Sequence, residues 1–214
     1  IRAVAMDMWE PYFKATIKHV PGAEGKIVHD RFHIMQHVGQ AVDKVRRQEN
    51  RELLRQEDER LKGTRYIWLY REENLPDKHR PTLEALKATN LKVAKAWAMK
   101  ESLSGLWNYL SVGWAKRFMK RWLTWVRKAD LTPMRKVGEM LSRHLDNILT
   151  FCRHRITNGA AEGLNSKIMA ISAGPAVTGT GSTSRPPSTS SAAAWTSIPN
   201  RSEFGYPQKT RKDQ

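Results

Sequence analysis

From Arg31 to Thr150 apolar residues recur at helical spacing almost without a break, over roughly 120 residues. That span fixes the class before anything else does: the fold is predominantly α, and any sheet must come from the flanks. Helical patterning runs through "FHIMQHVGQAVDKV" (Phe32–Val45), Pro81–Leu110, Val112–Lys128 and Pro133–Thr150, each opened or broken by Pro, Gly or Asp. From Asp43 to Lys62, 13 of 20 residues are charged with mixed signs, the composition of a solvated helix face. The N-terminal flank supplies two short strands. "IRAVAMD" alternates apolar residues and ends on Asp7, and "GKIVHD" ends on Asp30; between them "MWEPYFKATIKHV" is helical, closed by Pro21 and Gly22. The C-terminal flank offers "FCRHRI" and a last helix from about Asn158. From Ser172 to Pro199, 24 of 28 residues are Ser, Thr, Ala, Gly or Pro, a composition that cannot bury enough apolar area to fold. The expected organisation is therefore β-α-β over 1–33, an all-helical segment over 34–150, a last core segment over 151–171 and a disordered tail over 172–214.

The net charge is +16, with a pI near 10.2. That balance favours a polyanionic partner, nucleic acid before an anionic membrane. No run of about 18 apolar residues is present to span a bilayer, and "IRAVAMDMWE" is no secretory signal. It also lacks an initiator Met, so residue 1 is not expected to start the natural product. A lone Cys152 excludes an internal disulfide and any multi-cysteine zinc site, which suits a reducing cytoplasm.

Several residues could carry chemistry. Asp7 stands where a strand gives way to a helix. It is either an N-cap, completed by Glu10 as a capping box, or a carboxylate offered to a hard divalent cation. Asp30 and His33 repeat the arrangement. His29, His33 and His37 are spaced by four and would stack on one face if all were helical, a weak case for zinc. Glu162 falls in the first turn of the last helix, where an acid suits the dipole. Gly159 and Gly163 leave that turn bare for close approach of a bulky ligand, with Asn165 and Lys167 beyond. Trp107, Leu110, Trp114, Phe118, Trp122 and Trp125 form a stripe at spacings of three and four, read as core before base stacking. On the other side Lys116, Arg117, Lys120, Arg121, Arg127 and Lys128 make a compact cationic face suited to phosphates.

Taken together, "VAMDMWEPYFKA", "KIVHDRFHIMQHV" and "RITNGAAEGLNSKI" resemble the DDE transposases of bacterial insertion sequences, of the ISL-three type, over residues 1–171. The resemblance implies an RNase H-like catalytic core interrupted by an all-helical insertion, which the separation of 155 positions from Asp7 to Glu162 accommodates. It maps Asp7 onto the second catalytic aspartate and Glu162 onto the catalytic glutamate, both as metal ligands. Asp30 and His33 match an acid-x-x-His element near the site, with Asn158 and Asn165 as further support and Lys167 beside the six basic residues on DNA. It also implies two Mg²⁺ ions about 4 Å apart, double-stranded DNA as partner, a homo-oligomer in the full-length form and a nucleoid-associated location. The first aspartate and the DNA-recognition region are expected upstream of Ile1, which would leave this chain inactive alone. The competing readings are a non-catalytic basic helical nucleic-acid-binding protein and a decayed transposase remnant.

The tail carries a further expectation, a frame shift near Ile171. Trp195 followed by Thr196 forces a GAC codon, an aspartate, in the shifted frame. The neighbouring residues permit "CGGLDLYP", which resembles this family's C-terminal ending.

Overall fold

A computed structural model of the protein describes residues 1–159. These all lie in the first of two units, Ile1–Ile171 and Ser172–Gln214. The two expected strands form, as β1 (Val4–Met6) and β2 (Ile27–His29), joined by α1 (Glu10–His19) and a short 3-10 turn. They pair in parallel with Met6 opposite His29. The ladder continues one step, because the Asp30 amide donates to the Met6 carbonyl at 2.9 Å. Parallel pairing puts both strand-end acids, Asp7 and Asp30, at the same edge of the sheet.

Beyond β2 the described chain is helical: α2 (Arg31–Leu54), α3 (Arg65–Leu69), α4 (Arg80–Lys87), α5 (Lys92–Ser104), α6 (Val112–Lys128), α7 (Thr132–Arg143), α8 (Leu145–Leu149) and α9 (Phe151–His154). Helix α2 is the axle, packed against α3, α5 and α7, while α6 packs on α7, α8 and α9. The main core gathers Ile34, Val38 and Val42 of α2 with Met99 and Leu103 of α5, Met119 and Trp122 of α6 and Leu141 of α7. A second, much smaller core holds Met6, Ala23 and Ile27, with Val4, Phe13 and Val20 packed against it. Strand β2 serves both: Ile27 faces the small cluster and Val28 the large one, as side-chain alternation requires. Among the described residues no helix is long and apolar enough to cross a membrane.

Three sequence expectations are corrected. The charged run Asp43–Lys62 is neither one helix nor wholly solvated. Helix α2 stops at Leu54, and turns follow with Glu57 and Gly63 at positive φ. Within the run Asp43 and Glu49 are buried. Glu49 accepts the Lys92 and Val93 amides at 2.6 and 2.8 Å, capping α5 from a neighbouring helix. Asp43 gathers Arg46, Arg47 and Arg65. Helical spacing accounts for Arg46 and Arg47 on Asp43, but Arg65 and the Glu49 partners come from other elements. The Pro81–Leu110 pattern breaks into α4, α5 and a 3-10 turn over Gly105–Asn108. The tryptophan stripe also divides: Trp107 and Trp122 are buried, but Leu110 and Trp114 are 78% and 58% exposed. Helix α6 begins only at Val112, so Trp107 and Leu110 lie outside its periodicity.

Helix α5 also holds Lys100, 2% exposed. Its ammonium donates to the Trp68, Leu69 and Tyr70 carbonyls at 3.0, 3.1 and 2.5 Å, closing the C-terminal end of α3. Burial lowers its pKa to about 8, partly offset by Glu101.

Candidate active site at the strand ends

Asp7 and Asp30 differ sharply in what the fold asks of them. Asp30 is the N-cap of α2: its Oδ1 accepts the Phe32 amide at 2.6 Å, and the residue is 3% exposed. Its second oxygen, Oδ2, accepts the Asn158 amide at 2.6 Å from 128 residues away. One buried carboxylate therefore starts a helix and fastens the chain that runs on toward Glu162. Asp7 does neither. The N-cap of α1 is Trp9, which makes no side-chain cap, so the capping box with Glu10 does not form. The Asp7 Oδ1 accepts its neighbouring Met8 amide at 2.6 Å, and Oδ2 lies 3.8 Å from His33 Nδ1. Its side chain is 42% exposed.

Asp7, Asp30, His33 and the Asn158 backbone thus meet at the C-terminal edge of the parallel pair, the edge at which open α/β sheets bind ligands. Asn158 takes part through its backbone amide. Glu162, Asn165 and Lys167 lie outside the described residues, as does the tail from Ser172. His29 sits on β2 rather than on a helix with His33 and His37, so the shared histidine face does not form. Among the described residues no group of three or more His, Cys, Asp or Glu could hold a metal ion.

His29 is buried beneath this edge, and among the described residues neither ring nitrogen has a hydrogen-bond partner. Its ring meets His144 edge-on at 5.0 Å and Phe13 at 6.2 Å. Burial, then the nearby His144, lowers its pKa to about 4.

Two features escaped sequence reasoning. Arg155 ends α9 in a left-handed backbone, φ 55° and ψ 27°, a conformation costing a non-glycine residue about 1 kcal/mol. Its guanidinium donates to the Trp107 and Tyr109 carbonyls. Neither the positive φ nor a partner 46–48 residues away leaves a trace in local sequence. Arg31, next to Asp30, lies 5.2 Å over the Trp107 ring.

The six expected basic residues all lie on α6 and are exposed. Spacings of four, seven and eleven bring Lys116, Lys120 and Arg127 onto one side, with Arg117, Arg121 and Lys128 beside them. Among the described residues no carboxylate pairs with any of them, so their charge faces outward unneutralised. Arg117 lies 4.9 Å over the exposed Trp114 ring. Helix α6 packs on α9, the element that leads to Asn158, so the cationic helix adjoins the site-bearing segment.

Known proteins resemble the chain over this whole region. A family described as transposase, of the DDE kind and ISL3 type, matches residues 1–174. The transposase for insertion sequence element IS1001 of Bordetella parapertussis is 28% identical over 174 residues, 80% of this chain and 42% of that protein. The transposase for insertion sequence element IS1557 of Mycobacterium tuberculosis is 25% identical over 114 residues, 53% of this chain and 26% of the relative. The chain therefore spans less than half the length of the relatives it matches. No solved structure matches it. Transposases of this kind generally use a divalent metal. With more than half of its length matched, and with the strand-end acids inside the match, the chain belongs to the ISL3-type family of DDE transposases.

Proposed function

We propose that this chain is the second part of a transposase catalytic domain, in which Asp7 and Glu162 are the metal-holding carboxylates for cleavage and transfer of DNA strands. The observation that carries the reading is the contrast between the strand-end acids. Asp30 is consumed by structure, whereas Asp7 caps no helix and keeps its carboxylate half open at the sheet edge. Its donors suit the expected ion, since carboxylate oxygens on a partly open edge are what Mg²⁺ takes while retaining water. When bound, the metal would activate water or a 3′-hydroxyl and stabilise the leaving oxygen. His33 stands beside that carboxylate, its Nδ1 3.8 Å from Asp7 Oδ2. Asp30 and the Asn158 amide hold the chain leading to Glu162, and the α6 cations bind phosphates without reading sequence.

The pair β1–β2, crossed over by α1, serves in this reading as part of an RNase H-like core, with the helices from α2 to α8 as the insertion. The family match stops at residue 174, which supports a tail outside the family's sequence. The nucleotide sequence decides between a shifted frame and a true extension.

The test is strand cleavage of duplex DNA bearing insertion-sequence ends, with Mg²⁺, by the complete reading frame that contains this chain. Asp7→Asn and Glu162→Gln each abolish cleavage and leave duplex binding intact. Wild-type rates in either variant would remove that residue from the site. Duplex binding that survives both substitutions, with no cleavage by the unsubstituted protein, favours a non-catalytic DNA-binding protein. Lys120→Glu with Arg121→Glu flattens the slope of log affinity against log salt by about 2; an unchanged slope would remove α6 from the interface.

A further inference from the structure

The chain leaves α9 through Arg155, whose backbone is left-handed at φ 55° and ψ 27°. Glycine adopts that left-handed backbone freely and commonly ends helices in it. An arginine here needs another reason, and its side chain supplies one. Nη1 donates to the Trp107 carbonyl at 3.0 Å and Nη2 to the Tyr109 carbonyl at 2.5 Å, so the planar fork spans two acceptors at once. The Phe151 ring lies 5.3 Å from the guanidinium carbon. Trp107 and Tyr109 form the turn that leads into α6 at Val112. That turn also meets Arg31 through the Trp107 ring. Three residues after Arg155, the Asn158 amide is fixed on Asp30. The stretch 155–158 is thus tied at one end to the start of the cationic helix and at the other to the cap of α2.

We propose that Arg155 is a positioning residue: its fork holds residues 155–158, which precede Glu162 in sequence, in one frame with the strand-end acids and with the start of the DNA-facing helix. This rests on the reading of Glu162 as a catalytic carboxylate and adds to it the device that sets where that carboxylate's segment begins. It also ties α6 to the site, since displacement of the Trp107–Tyr109 turn would carry the fork with it.

Arg155→Gly separates the two roles of the position, because glycine relaxes the backbone while deleting the fork. In the metal-free chain, hydrogen exchange at the Asn158 amide should quicken at least tenfold in Arg155→Gly, with amides of α2 and α5 unchanged. Arg155→Lys should fall between, because one ammonium cannot reproduce the fork. In the complete reading frame, Arg155→Gly should lower kcat for strand cleavage at least tenfold while duplex affinity stays within twofold. Unchanged Asn158 exchange would overturn the proposal. So would quickened exchange throughout α2 and α5, which would make Arg155 a general stabiliser. Retained cleavage in Arg155→Gly beside a dead Glu162→Gln would end the positioning role alone. Full cleavage in Glu162→Gln would end the catalytic reading instead, and the exchange result would still decide whether the clamp exists.

Discussion

The helical body and the strand unit are built to different standards. The body packs buried side chains from α2, α3, α5, α6 and α7 into one continuous core. The strand unit closes over three buried residues, Met6, Ala23 and Ile27, and α1 buries none of its own. Yet the strand unit carries Asp7 and Asp30. The site therefore rests on the leaner part of the molecule and borrows rigidity from the body. The loans are the Ile27/Val28 alternation of β2, the Asp30–Asn158 bond and the contacts of α8 and α9 on β2. Asn147 and His154 add bonds to the Glu24 and Gly25 carbonyls beside β2.

That contrast makes graded predictions. The largest effect belongs to the body: Trp122→Ala removes a 2%-exposed indole bonded to the Met99 carbonyl. It should cost about 4 kcal/mol and destabilise strand unit and body together, measured by denaturant unfolding. Loss confined to the strand unit would contradict the dependence. Next, Lys100→Met leaves the carbonyls at the end of α3 without their donor and should cost about 2 kcal/mol. An unchanged midpoint would mean that water satisfies those carbonyls. Phe13→Ala, in the small core, should cost about 1 kcal/mol globally. If instead the loss stays within the strand unit, exchange quickens in β1 and stays unchanged in α5; a global loss quickens both.

The smallest effect is a pH slope. The unfolded chain takes up a proton at His29 near its ordinary value of 6.5, whereas the folded residue stays neutral down to about 4. The unfolded state binds more protons in that window, so stability falls as pH drops from about 6.5 toward 4 and is intact above it. His29→Phe should flatten the slope, read as Tm against pH; an unaltered slope would place the titration elsewhere.

Much of this frame was legible in the sequence, for identifiable reasons. Both strands and the limits of α6 follow from local periodicity, since Val112–Lys128 repeats its apolar positions strictly enough to show in one dimension. Asp7 and Asp30 look alike locally, each an acid after a short strand. Only the third dimension separates them, because Asp30's second partner lies 128 residues away. The same reason hid Glu49 as the cap of α5 and Arg155 as a clamp. A long-range acceptor has no periodic signature. The stripe from Trp107 to Trp125 misled because its spacing runs through the break before Val112.

The central claim is that Asp7 offers its carboxylate to a divalent metal at the strand edge. It is tested most directly on this chain by titrating Mn²⁺, standing in for Mg²⁺, and following paramagnetic broadening of backbone amide signals. Broadening should concentrate at Asp7, Met8 and His33 at substoichiometric metal, disappear in Asp7→Asn, and leave α5 sharp. Broadening that persists in Asp7→Asn, or that never touches the ends of β1 and β2, would contradict it.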